Sequence, residues 1–283
     1  MRATGLAIAR GALVASVAVA LGGDITAAGA AAAELKQKTV DAFDRYVRLT
    51  EARMDGEERS GSPFLYTDSL PAAQRATAER TARGTTPFMA RLETREGRKE
   101  IGVPDGLIHH WVGVIFMPGV TVDQAVALMQ DYDHHAEVFT PVIVRSTLLG
   151  REDQRFRFYL RFYVKKVIAV TTDTEHEGVF SSPAEGSAAS RLRSTRVAEV
   201  ENAGTPAERQ KPVGGGHGFL WRLNTYWRFA ERDGGTWVQC ESVTLTRDIP
   251  FGLGWIIGRF VTEIPKESLT FTLTTAYKAL VKG

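Results

Sequence analysis

GFLWRLNTYWRFAERDGGTWVQCESVTLTRDIPFGLGWIIGRFVTEIPKESLTFTLTTAYKALV, residues 218–281, decides the fold. Phe219 to Glu231 is rich in aromatic and β-branched residues, and Thr236 to Asp248 is a second such run. Between them stands Arg232-Asp233-Gly234-Gly235, and two strand-like runs joined by an Asp-Gly turn predict a hairpin. The period then changes. Leu269, Leu273, Ala276 and Leu280 fall at i, i+4, i+7 and i+11, which is one face of a helix. Pro250 ends the second strand because it has no amide hydrogen to give. Pro265 disfavours helix at Ile264 and suits a first helical turn. The spacing therefore predicts a short helix near Leu253–Thr262, a kink, and a main helix from Pro265 to about Leu280. A long hairpin followed by an amphipathic closing helix suggests a sheet wrapped around a helix.

The chain before it adds more strands. Gln154–Val164 alternates most clearly, with Phe156, Phe158, Leu160, Phe162 and Val164 on one face. Arg155, Arg157, Tyr159, Arg161 and Tyr163 fall on the other, so one face is read as buried and the other as cationic and wet. Val142–Arg151, Val167–Ser181 and Ala189–Asn202 read as further strands. Leu107–Met117 is a strand ended by Pro118-Gly119, and Thr121 can cap a helix over Val122–Gln130. A short helical turn is expected at His134–Val138. Upstream, Phe43, Val47, Thr50 and Met54 repeat with helical spacing, and Pro71 suits the start of a second, weakly amphipathic helix to Arg83. Phe88–Thr94 reads as a strand.

Residues 1–33 read as an export signal. Arg2 and Arg10 precede the apolar run Gly11–Leu21, and small residues follow at Ala27–Ala33. That run is too short for a stable membrane span. The expectation is a periplasmic or secreted protein.

A length of 283 residues suits one large domain, or one domain with an extension. The net charge of +2 gives no basis for nucleic-acid binding. The single cysteine, Cys240, excludes an intramolecular disulfide and any thiolate metal set, and reads as a core thiol.

A strand, two short helices, about six to seven antiparallel strands and a long helix follow one another. In this the chain resembles the START-like superfamily, which includes the polyketide cyclase/aromatase group. The resemblance rests on HHWVGVIFMPGVTVDQAVALMQDYDHHAEVFTPVIVRSTLLG, on RFRFYLRFYVKK and on SVTLTRDIPFGLGWIIGRFVTEIPKESLTFTLTTAYKAL. It implies an α+β helix-grip fold over 101–283, with 34–100 as a helical extension. It also implies a gap between sheet and closing helix that takes apolar ligands. The walls would then be Phe158, Phe162, Trp221, Trp227, Trp255, Phe260 and Ile264, alongside Leu223 and Phe229. A filled core of the same residues is the alternative.

No catalytic, metal or cofactor set emerges. His109-His110 are strand neighbours and point to opposite faces. Asp131, Asp133, His134, His135 and Glu137 match no defined metal spacing, and exposed loop residues are the preferred reading. Cyclase chemistry would need a general base such as His135 or Asp133, and no partner fixes one. Arg155, Arg157, Arg161, Lys165 and Lys166, with Arg222 and Arg228, are read as pairing across strands with Glu199, Glu201 and Glu241. A peripheral contact with an anionic membrane is the sharper reading of that face. Gly214-Gly215-Gly216-His217-Gly218 precedes a strand, lacks a following Lys-Ser/Thr, and reads as a turn. The sequence thus points to binding, or transport, of a hydrophobic small molecule or lipid without catalysis. A polyketide cyclase/aromatase-type enzyme is the runner-up, and a non-catalytic interaction module the third reading.

Overall fold

The hairpin turns where the sequence places it. Asp233 and Gly234 both have positive φ, 61° and 75°, and Arg232 pairs with Gly235 across the turn. Two successive left-handed residues match the right-handed twist of the strands they join. The computed structural model describes residues 34–61, 63–165, 169–248 and 254–281, excepting the side chains of 254–262. The expected signal at 1–33 lies outside these residues.

Five helices and eleven strands are described. The helices are α1 (Gln37–Ser60), α2 (Ala72–Ala82), α3 (Val122–Gln130), α4 (His135–Val138) and α5 (Gly254–Leu280). A 3-10 turn, Tyr66–Ser69, lies between α1 and α2. The strands begin with β1 (Phe88–Arg91), β2 (Arg95–Glu96), β3 (Lys99–Glu100) and β4 (Gly106–Pro118). Next come β5 (Ile143–Glu152), β6 (Arg155–Lys165), β7 (Ala169–Ser181) and β8 (Ser187–Glu201). The last are β9 (Arg209–Gln210), β10 (Arg222–Arg232) and β11 (Gly235–Arg247). The main sheet is antiparallel, in the order β1-β4-β11-β10-β8-β7-β6-β5, with β9 beside β8. Its nine strands exceed the six to seven expected of the helix-grip sheet, because the strand expected at Phe88–Thr94 joins it as β1 and β9 is added beside β8. The fold is the α+β helix-grip arrangement.

One correction concerns α5. The expected break before Pro265 is absent: a single helix runs through it from Gly254 to Leu280. Proline there removes one amide donor, and the apolar stripe after it keeps the helix on the sheet. Leu269, Leu273 and Ala276 are all buried, as the spacing requires. Leu273 packs so closely on β4 that a Cβ at Gly113 would lie 2.4 Å from its Cδ1.

The sheet is covered on both faces. The inner face carries the largest core, built with α3, α4 and α5 around Ile115, Met117, Phe156, Phe158, Phe229 and Val238. The outer face is covered over β4, β11 and β10 by α1, whose Phe43, Tyr46, Val47 and Met54 meet Tyr226, Val243 and Leu245. The 3-10 turn and α2 extend that cover over Val114, Phe116 and Trp237. Residues 34–100 are thus built into the same compact unit as the rest of the described chain.

Charges clasp this cover to the sheet. Glu241, 1% exposed, accepts from Arg53 of α1 and pairs with His110 Nε2 at 2.7 Å. His110 Nδ1 meets the Tyr46 hydroxyl at 2.9 Å, and that hydroxyl accepts from the Thr94 amide. Arg228 donates to Glu57 and to the Phe64 carbonyl. Arg191 reaches Asp55 and Glu58, and Arg193 reaches Glu51. Burial alone would raise the Glu241 carboxyl, yet His110, Arg53 and Arg228 hold it below its usual range.

Candidate functional site

The inner face has two unlike halves, set by which residues α5 and α3 seal. Phe180, Ser190, Trp227, Cys240 and Gly113 lie side by side along one row, as the strand registers show. Trp227 and Cys240 are fully buried there, and Leu273 closes the row. The next row is Gly178, Leu192, Thr225, Ser242 and Trp111. In it Thr225, Ser242 and Trp111 are only half-buried, although they point inward. Leu223, in the row beyond, is half-buried too, and Phe162 is half-buried at the edge of the core. Lys266 of α5 stands over the Trp111 ring, 5.5 Å from its centroid.

Hydroxyls concentrate in this second half. Thr225 is directly opposite Ser242, and Thr244 lies between Leu223 and His109. Thr244 is 7% exposed and its Oγ1 has no hydrogen-bond partner among the described residues. His109 Nε2 meets Thr246 Oγ1 at 3.0 Å. Burial, with the Arg91 charge second, lowers the His109 pKa to about 4, so this imidazole is neutral near pH 7.

A ring stack fills the opposite side of the inner face. Phe158 stacks on Tyr132 at 3.7 Å and on His176 at 4.9 Å. His176 Nε2 is 2.8 Å from Thr174 Oγ1, and burial lowers its pKa to about 3. Burial raises the Tyr132 phenol, and its hydroxyl has no partner among the described residues. His135 is buried, with Nε2 3.1 Å from the Leu128 carbonyl, and burial lowers its pKa.

The expected wall residues separate. Phe158, Phe162 and Trp227 share the inner face, but Phe158 and Trp227 sit in its packed part. Trp221 goes to the other face and packs with α1, because it precedes β10 and escapes that strand's alternation. Ile264 is half-buried on α5, and the side chains of Trp255 and Phe260 lie outside the described residues. Trp111, Thr225, Ser242 and Thr244 were not among the expected residues. A hint was present: inward positions of β10 and β11 alternate Trp227, Thr225, Leu223 and Cys240, Ser242, Thr244, mixing hydroxyls into an apolar face.

The other constellations resolve locally. His109 and His110 do face opposite ways, toward Thr246 and Glu241. Asp131 pairs with His134 at 2.7 Å, while Asp133 accepts from the Leu148 amide. Among the described residues no group of three or more His, Cys, Asp or Glu is placed to hold a metal ion. The acids expected to face the arginines have other partners. Glu199 accepts from the His217 and Phe219 amides and lies beside Lys211, Glu201 pairs with Arg209, and Glu241 is in the α1 clasp. Arg161 is itself buried against Asp173 and Glu208, whereas Arg155 and Arg157 are exposed. No described helix is long and apolar enough to cross a membrane. Cys240 is buried, and burial raises its thiol pKa.

No protein-family model matches the chain, and no curated protein matches it. Several solved structures share the arrangement. A STAR-related lipid transfer protein fragment from Xanthomonas axonopodis is 15% identical at a TM-score of 0.44, over 67% of this chain and 98% of that one. Human STARD10 is 10% identical at 0.43, over 74% and 81%. The Zhui aromatase/cyclase from Streptomyces is 14% identical at 0.40, over 61% and 93%. Likenesses of this degree carry no conclusion about what the chain binds.

Proposed function

We propose that the chain binds a hydrophobic small molecule or lipid, without transforming it, between the inner face of the sheet and α5. One observation carries this reading: Trp111, Leu223, Thr225 and Ser242 point inward from mid-sheet yet stay half-buried. The neighbouring row, sealed by Leu273, is fully packed around Trp227 and Cys240. Protein interiors are close-packed, so incomplete burial there marks room. Apolar concave sites with a few polar groups are the usual ligand sites.

Titration with a fluorescent sterol-like or fatty-acid probe tests it. Ser242→Trp should fill the space and abolish uptake while the chain stays folded by circular dichroism. Phe162→Arg should do the same by placing a guanidinium where it must be desolvated. Normal uptake by both variants would remove the reading. If Ser242→Trp unfolds the chain instead, the space is packed, since overpacking costs about 1–3 kcal/mol.

A cyclase-type enzyme is the second reading, favoured by the buried, unpartnered Tyr132 hydroxyl beside His135. A general base works best near the operating pH, and burial lowers the His135 imidazole below its ordinary value. Turnover of a linear poly-β-ketone that Tyr132→Phe abolishes would favour the enzyme. Export remains part of the proposal, on Arg2, Arg10 and Gly11–Leu21. Mature N-termini between about Ala28 and Glu34 would support it, and Met1 recovered from a cytoplasmic fraction would reject it.

A further inference from the structure

The half-packed region is more polar than an apolar ligand requires. Thr225 and Ser242 face each other across β10 and β11. Directly opposed residues have Cβ atoms about 4.5–5.5 Å apart, close enough for hydroxyls to bond. Both are half-buried, and the Thr244 hydroxyl on the same face is buried with no hydrogen-bond partner among the described residues. Leu192, Leu223 and Trp111 border the group. A buried hydroxyl without a partner weakens the fold, and native structures rarely leave one unexplained.

Resting on the binding reading above, we infer that the ligand carries an uncharged hydroxyl or ketone on an apolar body, and that Thr225, Ser242 and Thr244 receive that oxygen. A hydroxyl side chain both donates and accepts, so either head finds a match. Among the described residues, Thr225, Ser242, Thr244 and His109 would meet a carboxylate or phosphate there with neutral groups. Its charge would have to leave water without a counter-ion. His109, beside Thr244, is bound to Thr246 and adds no charge. The described cations nearest this side are Lys266, which lies over the Trp111 ring, and Arg91, exposed and opposite Trp111 on β1. Both stand at Trp111 on β4, one strand from Ser242 and two from Thr225.

Three probes with one body and different heads test this: pyrenyl-dodecanol, pyrenyl-dodecanoic acid in its ionised form, and headless dodecylpyrene. The alcohol should bind at least about tenfold tighter than the acid. In the variant Thr225→Val, Ser242→Ala, Thr244→Val, folded by circular dichroism, the alcohol should lose its roughly tenfold advantage and bind no tighter than dodecylpyrene does to the same variant. Ser242→Ala alone, at a half-buried position, gives the same readout with a smaller loss should the triple variant not fold. Acid binding as tight as alcohol binding overturns the inference, as does an alcohol preference that survives the triple variant. Failure of all three probes to bind the unmodified chain overturns the binding reading, and this inference with it.

Discussion

The two faces of the sheet bury polar groups in opposite ways. Under α1 the outer face buries full charges and pairs them: Glu241 with Arg53 and His110, and Arg228 with Glu57. Under α5 the inner face buries hydroxyls and neutral imidazoles; among the described residues the Thr244, Ser190 and Tyr132 hydroxyls lack a partner there, as do Arg228 Nη2 and Trp221 Nε1 on the outer face. An interface that only has to hold gains from complete pairing, because each buried charge is costly alone. The difference is one of charge: paired ions on the outer face, neutral hydroxyls and imidazoles on the inner one.

The largest expected effect falls on the inner face. Leu273→Asp would set an unpaired carboxylate against Gly113, where there is no room even for a Cβ. The cost of several kcal/mol approaches a total stability of about 5–15 kcal/mol, so the chain should fail to fold. An unchanged melting temperature would mean that α5 does not press on the sheet there. On the outer face, Glu241→Leu leaves Arg53 and His110 without their shared partner. A loss of about 3–5 kcal/mol in urea denaturation is expected. A loss below about 1 kcal/mol, the worth of an exposed pair, would make the clasp no more than surface decoration.

The smallest effect is a pH dependence that belongs to the inner face. His176 and His109 have folded pKa values lowered to about 3 and about 4, from an unfolded value of 6.5. Their contribution is complete above the unfolded pKa and declines as pH falls toward the folded values, because the unfolded chain then binds the protons. Glu241, lowered in the fold, adds a loss only below the ordinary carboxylate range. Moving from about pH 7 to about pH 5 should therefore cost the unmodified chain about 2 kcal/mol more than it costs His176→Gln. Equal losses in the two proteins would mean that His176 is hydrated and titrates freely.

Alternation and helical spacing were enough to place the final hairpin, the alternating face of β6 and the phase of α5. These are local patterns with one buried face, which a linear sequence displays directly. Two features escaped. The first was the role of α1, whose apolar face could be read while its partner could not. The sign was in β4 and β11, where LIHHWVGVIFM and WVQCESVTL lack clean alternation because both faces are covered. The second was where the inner face stays half-buried. Phe158 and Trp227 looked like its walls by virtue of size, yet large side chains fill space, and both are packed tight. Room is left by smaller neighbours, and Thr225 and Ser242 gain their meaning only from the strand register that sets them opposite each other. Trp221 shows the same limit, since one residue outside the strand its parity no longer holds.

The place of β4 in the sheet also governs when the molecule can form. It pairs with β11, His110 lying opposite Val243, so its central partner is made more than a hundred residues later. Helix α1 waits as well, since Tyr226, Val243 and Leu245 are the surface it covers. At about 5–20 residues per second, some 6–26 s of synthesis separate the end of β4 from the end of β11. Through that interval the apolar faces of α1 and β4 stand open on a growing chain. Such high contact order slows folding and leaves nascent chains prone to stick to one another. The clasp at Glu241 therefore closes late: its Arg53 and His110 wait from early in synthesis for a carboxylate that arrives with β11, the last of the described strands.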